Sequence, residues 1–266
     1  MKASFVCVNY NNSKVTQDYI SNVLNIKNNH DVKIVVVDNA SQNEDVNNLI
    51  DYIHKLNNEH VILIRSEVNL GYFKGLNLGI KWSIENQYNQ YQIVGNNDLV
   101  FFSDFLDTLE SIAIKKAEMV LAPDVITIDG IHENPHVINK MPFLRKFKYK
   151  IYYSNYYVAK LINNFYSTER KYKAFDPERK YIHMGIGALY VLTPNFFQHF
   201  NALWDHVFLY GEEAILAGQM DSVAGKIVYE PSLKCNHNES ATTSKMESKY
   251  KYEVIQRSYR IYKKYL

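Results

Sequence analysis

The chain has 266 residues, 47% of them apolar and 14% aromatic, and its 30 Lys+Arg against 28 Asp+Glu leave a formal charge of only +2. That excludes a disordered chain, and the length suits one large or two small domains whose cores need no covalent staples. Cys7 and Cys235 are too few for a disulfide framework, no stretch approaches the ~18 apolar residues of a membrane-spanning helix, and the first residues lack a signal-peptide core, so a reducing cytosol is the expectation.

The first 125 residues read as alternating strands and helices. Short β-branched or apolar runs at 3–8, 33–37, 60–65, 91–94 and 118–122 predict buried parallel strands, and the gaps between them are long enough for crossover helices. Segments 43–57 and 71–86 carry apolar residues at helical spacing: Leu49, Ile53 and Leu56 share one face, and Leu76, Ile80 and Ile84 another. The pattern predicts an open α/β sheet with ligands at the carboxyl ends of its strands.

Polar residues gather at those ends. Strand one runs into Asn9-Tyr10-Asn11-Asn12-Ser13, strand two into Asp38-Asn39-Ala40-Ser41, strand three leads to Asn69-Leu70-Gly71-Tyr72, and strand four into Gly95-Asn96-Asn97-Asp98. Any one of these turns could be a helix cap, since Asn, Asp and Ser are preferred capping residues; four on one edge point to a binding site. Neither GxGxxG after strand one nor GxxxxGK[ST] occurs, so neither phosphate-binding solution is present.

Whole-chain charge conceals a division. Residues 140–180 hold 11 Lys/Arg, 3 acids and 11 aromatic residues, whereas residues 1–139 hold 10 Lys/Arg and 17 acids. The basic stretch reads either as a solvated helical insertion with cation stems over apolar neighbours or as a surface for anionic lipid headgroups or a lipid-diphosphate acceptor. Next comes an apolar strand over 181–192, interrupted by Gly185 and Gly187, then Gly211-Glu212-Glu213 opening a helix, where acids are favoured by the dipole alone. A strand over 226–229 leads to a loop with His237. Residues 245–266, with 7 cations against 2 acids, form a second basic-aromatic stretch with Ile255, Tyr259 and Tyr262 on one helix face.

Val8-Asn9-Tyr10-Asn11, Val36-Val37-Asp38-Asn39-Ala40-Ser41, the block from Asn69-Leu70-Gly71-Tyr72 to Asn77-Leu78-Gly79, Asn96-Asn97-Asp98 and Tyr210-Gly211-Glu212-Glu213 together resemble the ordered blocks of family 2 glycosyltransferases. Within that family they are most similar to the bacterial rhamnosyltransferase-like branch, over about residues 3–240. The resemblance implies an α/β GT-A fold: a Rossmann-like, mostly parallel sheet with helices on both faces. It implies a catalytic domain over 1–244, with 140–180 an insertion facing acceptor or membrane, and a basic amphipathic helix over 245–266.

It also implies roles. Asp38 would hold the nucleobase; Asn9, Tyr10, Asn11 and Asn39 would line base and ribose; Asn69, Gly71, Asn77 and Asn97 would support the donor, with Gly71 and Gly75 allowing close backbone approach. The family's metal-binding DXD stands here as Asn96-Asn97-Asp98, a departure at its first position, so Asp98 would carry Mn²⁺ or Mg²⁺ with Asn96 offering a neutral carbonyl and His237 a late ligand. Glu213 would be the general base of an inverting displacement, and Glu212, His183 and Gly187 would border the sugar or acceptor. Gln219 stands where the branch usually has a basic residue. The expected reaction moves a sugar, rhamnose first, from a UDP- or dTDP-sugar to a glycan or lipid-linked acceptor in cell-surface polysaccharide assembly. It would take place in the cytoplasm or at the inner membrane face of a bacterium, with no nucleic-acid partner. A non-catalytic nucleotide-sugar-binding relative and a metal-dependent nucleotidyltransferase are the alternatives.

Overall fold

A computed structural model describes residues 1–165, 172–238 and 248–266. The expected domain boundary at 244/245, and Arg170 and Lys171 of the basic stretch, lie outside the described residues. The elements begin β1 (Lys2–Asn9), α1 (Ser13–Ile26), β2 (Asp31–Asn39), α2 (Asn43–Leu56), β3 (Val61–Ser66), α3 (Tyr72–Glu85), β4 (Tyr91–Asn96), β5 (Leu99–Phe101), α4 (Phe105–Ser111) and β6 (Glu118–Thr127). They continue with α5 (Phe143–Tyr152), α6 (Tyr156–Phe165), β7 (Lys180–Ile182), β8 (Leu189–Leu192), α7 (Pro194–Phe197), α8 (Glu212–Asp221), β9 (Lys226–His237) and α9 (Ser248–Tyr262).

The described strands form one sheet in the order β3-β2-β1-β4-β8-β6-β9-β5, with β7 paired to β9. β1, β2, β3, β4, β6 and β9 run one way, and β5, β7 and β8 oppose them, which makes the sheet mixed but mostly parallel. Alternation along each strand sends residues to opposite faces. Phe5, Cys7, Ile34, Val36 and Ile93 enter the core beneath α1, α2 and α4, while Val6, Val35 and Val94 enter the core with α3, α7 and α8. Both faces are therefore covered, as continuous apolar runs require. Cys7 and Cys235 are free, buried thiols whose pKa values burial raises, so they behave as small core residues.

Local signals explain the helix limits. α2 carries Glu44 and Asp45 in its first turn and ends at Asn57, which takes a left-handed φ of 43° and donates its N–H back to the carbonyls of Ile53 and His54. The run 181–192, expected as one strand, is two: β7 joins β9, and β8 lies between β4 and β6. The glycine-bearing stretch between them leaves the sheet to meet α8. β9 is much longer than the expected 226–229, because a register shift opposite Pro123 and Asp124 lets pairing with β6 resume at Lys234 and run to His237.

α9 is not a free basic helix. Its Tyr259 and Tyr262 are buried in a third core cluster with Ala214, Ile215 and Ala217 of α8 and Met184, so it completes the body of the fold. No described helix is long and apolar enough to cross a membrane.

Candidate active site

The carboxyl ends of β1, β2 and β4 meet the start of α8 around one cleft of about 950 Å³. Of the residues singled out in the sequence, Tyr10, Asn39, Asn69, Gly71, Asn96, Asn97, Asp98, Gly187, Glu212, Glu213 and His237 line it. Asn9, Asn11, Asp38, Asn77 and His183 do not line it, and their contacts show what each holds in place.

Behind the cleft wall lies a polar network. Asn9 is fully buried, and its amide donates to Asp38 Oδ1 at 3.0 Å, Ser41 Oγ at 3.1 Å and Asp45 Oδ2 at 3.0 Å. The Thr16 hydroxyl donates to Asn9 Oδ1 and accepts from Asn97 Nδ2, tying the β4 turn to α1. Ser41 N–H donates to Asp38 Oδ2, which fixes that carboxylate from a second side. Asn11 Oδ1 accepts from Gln42 N–H, joining the loops after β1 and β2. In the same way Asn39 receives Leu70 N–H and donates to the Asn69 side chain and Gly71 carbonyl. A buried amide leaves none of its groups to water, so each bond fixes a loop position. Non-glycine residues with positive φ, Asn11 at 54° and Ala40 at 64°, sit on these same loops, and Tyr210 at 69° precedes α8, places where backbone strain commonly concentrates.

Asn77 and His183 tie the scaffold together. Asn77 exchanges two hydrogen bonds with the Leu203 backbone, and His183 Nε2 pairs with the Tyr265 carbonyl at 2.9 Å beyond α9. The close approach expected at Gly71 is made by the chain itself: a Cβ there would lie 2.2 Å from the Phe208 carbonyl oxygen. Gln219, buried, accepts from Trp204 N–H and donates to the Ala202 carbonyl, a position where a cation would need a buried partner.

Strand pairing explains how residues remote in sequence meet. β5 lies antiparallel to β9 with Leu99 opposite His237, so the histidine arrives beside Asp98. Its Nε2 is 3.3 Å from Asp98 Oδ1 and 3.2 Å from the Asn96 amide, and its Nδ1 is 2.8 Å from Glu133 Oε2. Burial alone would lower the imidazole pKa; hydrogen bonds to Asp98 and Glu133 overcome it and push the value up to about 10. Glu133, in the segment after β6, escaped the sequence reading because no local pattern marks it. Tyr250 of α9, which also lines the cleft, escaped it because its tyrosine-rich segment gave only a helix face.

On the other wall, α8 opens with two acids in different surroundings. Glu212 is 5% exposed, its Oε1 has no hydrogen-bond partner among the described residues, and burial with the neighbouring Glu213 charge pushes its pKa up to about 8. Glu213 reaches the cleft, where its Oε1 accepts the Gly187 N–H at 3.3 Å. Tyr72 steadies that glycine by donating its hydroxyl to the Gly187 carbonyl. A Cβ at Gly187 would stand 2.8 Å from Glu213 Oε1 and push that carboxylate from its place.

Residues 4–183 match the model of glycosyl transferase family 2, more than half of the chain. The chain belongs to glycosyl transferase family 2. The fold agrees with that of GT-A glycosyltransferases. It is similar to GalNAc-T7 with UDP, GalNAc and Mn²⁺ (TM-score 0.60, 15% identity, 90% of this chain and 44% of that one). It is also similar to the mannosyltransferase PcManGT from Pyrobaculum calidifontis in complex with GDP-Man and Mn²⁺ (0.56, 13%, 91% and 58%). A third likeness is to TarS 1-349 of S. aureus (0.56, 12%, 98% and 72%). The chain thus spans about half the length of the first two. No curated protein matches its sequence.

Proposed function

We propose that this family 2 domain transfers one sugar from a nucleoside-diphosphate sugar to a hydroxyl of a glycan or lipid-linked acceptor by a single inverting displacement. The observation that carries the reading is the shared cleft: Glu213 on one wall and the Asn96-Asn97-Asp98 turn with His237 on the other. Two neighbours of the same fold are complexes with nucleotide or nucleotide sugar and Mn²⁺, which favours that ligand class.

No described group of three His, Cys, Asp or Glu side chains is arranged to hold a metal unaided. The donor set still suits Mn²⁺ or Mg²⁺, which are held by one or two protein ligands when substrate phosphates supply the rest. Asp98 would hold the ion, with Asn96 beside it and His237 able to join only after its ring gives up a proton; when bound, the ion would neutralise charge developing on the leaving diphosphate. Asp38, buried behind the cleft wall and fixed by Asn9 and Ser41, corrects the expectation of direct nucleobase contact: it would hold the loops that border the base, with the Tyr10 ring at the cleft edge available for stacking. Glu213 would take the proton of the acceptor hydroxyl as its oxygen attacks the anomeric carbon. Beside it a protonated Glu212 would add no second negative charge, leaving Glu213 as the carboxylate of the pair. Rhamnose on dTDP is the first donor to test, and cell-surface polysaccharide assembly on the cytoplasmic side is the setting that suits these substrates.

The test is turnover of a panel of UDP- and dTDP-sugars with Mn²⁺ or Mg²⁺, with the product anomer assigned by NMR. Glu213→Gln should lower kcat by about 10²–10⁴ with donor KM little changed. Retained transfer in that variant would overturn the base assignment.

A further inference from the structure

We propose that α5 is an interfacial helix that seats this domain on an anionic lipid surface. Its four outward apolar side chains are Phe143 (78% exposed), Leu144 (74%), Phe147 (52%) and Ile151 (42%). At 3.6 residues per turn they fall within an arc of about 100°. Lys146 and Lys150 border one edge of that arc and Lys148 the other, and α5 contains no acid. Soluble surfaces seldom expose large apolar groups in so continuous a stripe without something to cover it.

The inward side of the helix is committed elsewhere. Tyr149 packs against the third core cluster, and Tyr153, just past the helix end, lies 4.6 Å from the Tyr259 ring of α9. The following helix, α6, adds Tyr157 and Leu161, one turn apart and 72% and 59% exposed. A second copy docking through the same face would set its lysines against those of the first, with no acid on either helix to offset them. A bilayer bearing anionic headgroups uses both parts, with apolar side chains entering the acyl boundary and lysines remaining among the phosphates. The inference goes beyond the proposed transfer reaction and does not depend on it.

The test is co-sedimentation of the full chain with vesicles of phosphatidylcholine alone and with equal parts phosphatidylglycerol. Binding is expected only to the anionic vesicles and should be reversed by high salt. Replacing Lys146, Lys148 and Lys150 together with alanine should weaken partitioning about 100-fold, at about fivefold for each cation. Leu144→Ser with Phe147→Ser should weaken it at least about tenfold at an unchanged Tm, because both side chains are exposed. Glu213→Gln should bind vesicles like the parent, which separates this surface from the catalytic reading. Equal binding to both vesicle types, or unchanged binding by the serine variant, overturns the proposal. So does a solution dimer that the serine variant dissociates, because the stripe would then be covered by a second copy.

Discussion

The two ends of the cleft are held by different chemistry. Around Asp38 and Asn39 the loops are fixed by short polar side chains, with the two N–H groups of the Asn9 amide shared among three acceptors and its oxygen receiving one hydrogen bond. Around α8 the fixing is done by rings fitted into missing side chains. A Cβ on Gly211, which has φ 92°, would lie 2.1 Å from the Tyr262 ring, and one on Gly218 would lie 2.2 Å from that of Tyr265. Hydrogen bonds define a direction, which suits recognition of a base and ribose by their polar edges. Ring contacts set a close separation, which here fixes α8, and with it Glu213, against α9 and the residues that follow it.

The contrast is sharpened most severely by an ion cluster that uses neither device. Arg179 pairs both nitrogens of its fork with Glu118 at 2.7 and 3.0 Å and its Nε with Glu230 at 2.6 Å, fastening the return from residues 172–180 to the sheet. Burial would raise the Glu118 pKa, but Arg179, together with Lys115 N–H and Tyr181, holds it below its ordinary value. A carboxylate depressed in the folded state contributes stability above its unfolded pKa and loses it as pH falls through the folded value. Arg179→Met should therefore cost about 3 kcal/mol at neutral pH, at the low end for a broken buried pair because the arginine is partly exposed, and less at acid pH. Urea denaturation across that pH range checks it.

On the hydrogen-bonded side, Asn9→Ala should cost about 2 kcal/mol, because Asp38 and Thr16 lose a buried partner. Donor KM should rise more than kcat falls, read from initial rates. Loss confined to kcat would place the network under the chemistry rather than under donor binding. For the ring contacts, Gly218→Ala ought to gain about 1 kcal/mol by helix propensity. It should instead destabilise, and Tyr265→Ala in the same chain should restore part of the loss, a coupling of about 1 kcal/mol in a double-mutant cycle.

The last expected effect is a difference between two pH values. Between its unfolded value of 4.5 and its folded value of about 8, Glu212 keeps a proton in the native state that the unfolded chain has released, so stability falls as pH rises through that window. Glu212→Gln should remove this fall, raising Tm by a few degrees near about pH 9 and not at all near about pH 4. An equal shift at both values would mean that the carboxyl is not held neutral.

What could be read from sequence followed the same division. β1 to β4 were legible because strands covered on both faces appear as unbroken apolar runs, and their polar ends then mark the cleft. Asn9 and Asp38 could be placed at that edge, but not behind its wall, because burial depends on Ser41, Asp45 and Thr16 closing over them. The reading of 181–192 as one strand failed since strand partners, not composition, decide where β7 ends and β8 begins. The outer half of β9 was hidden by Pro231 and Ser232, which look like a turn and are accommodated by the register shift. Glu133 meets His237 only because β6 and β9 lie side by side.

That register shift has a consequence for how such a protein can change. Between Glu230 and Lys234 the strand holds extra residues that its neighbour β6 does not match. Strand side chains alternate, so losing or gaining a single residue there would present Asn236 or Asn238 to the cleft in place of His237. The same slip would set Asn236 or Lys234 in the buried place of Cys235, so the core would be disturbed with it. A one-codon slip would thus exchange the imidazole beside Asp98 for a neutral amide only by placing a polar side chain in the core, which ties the position of His237 to the packing of its strand.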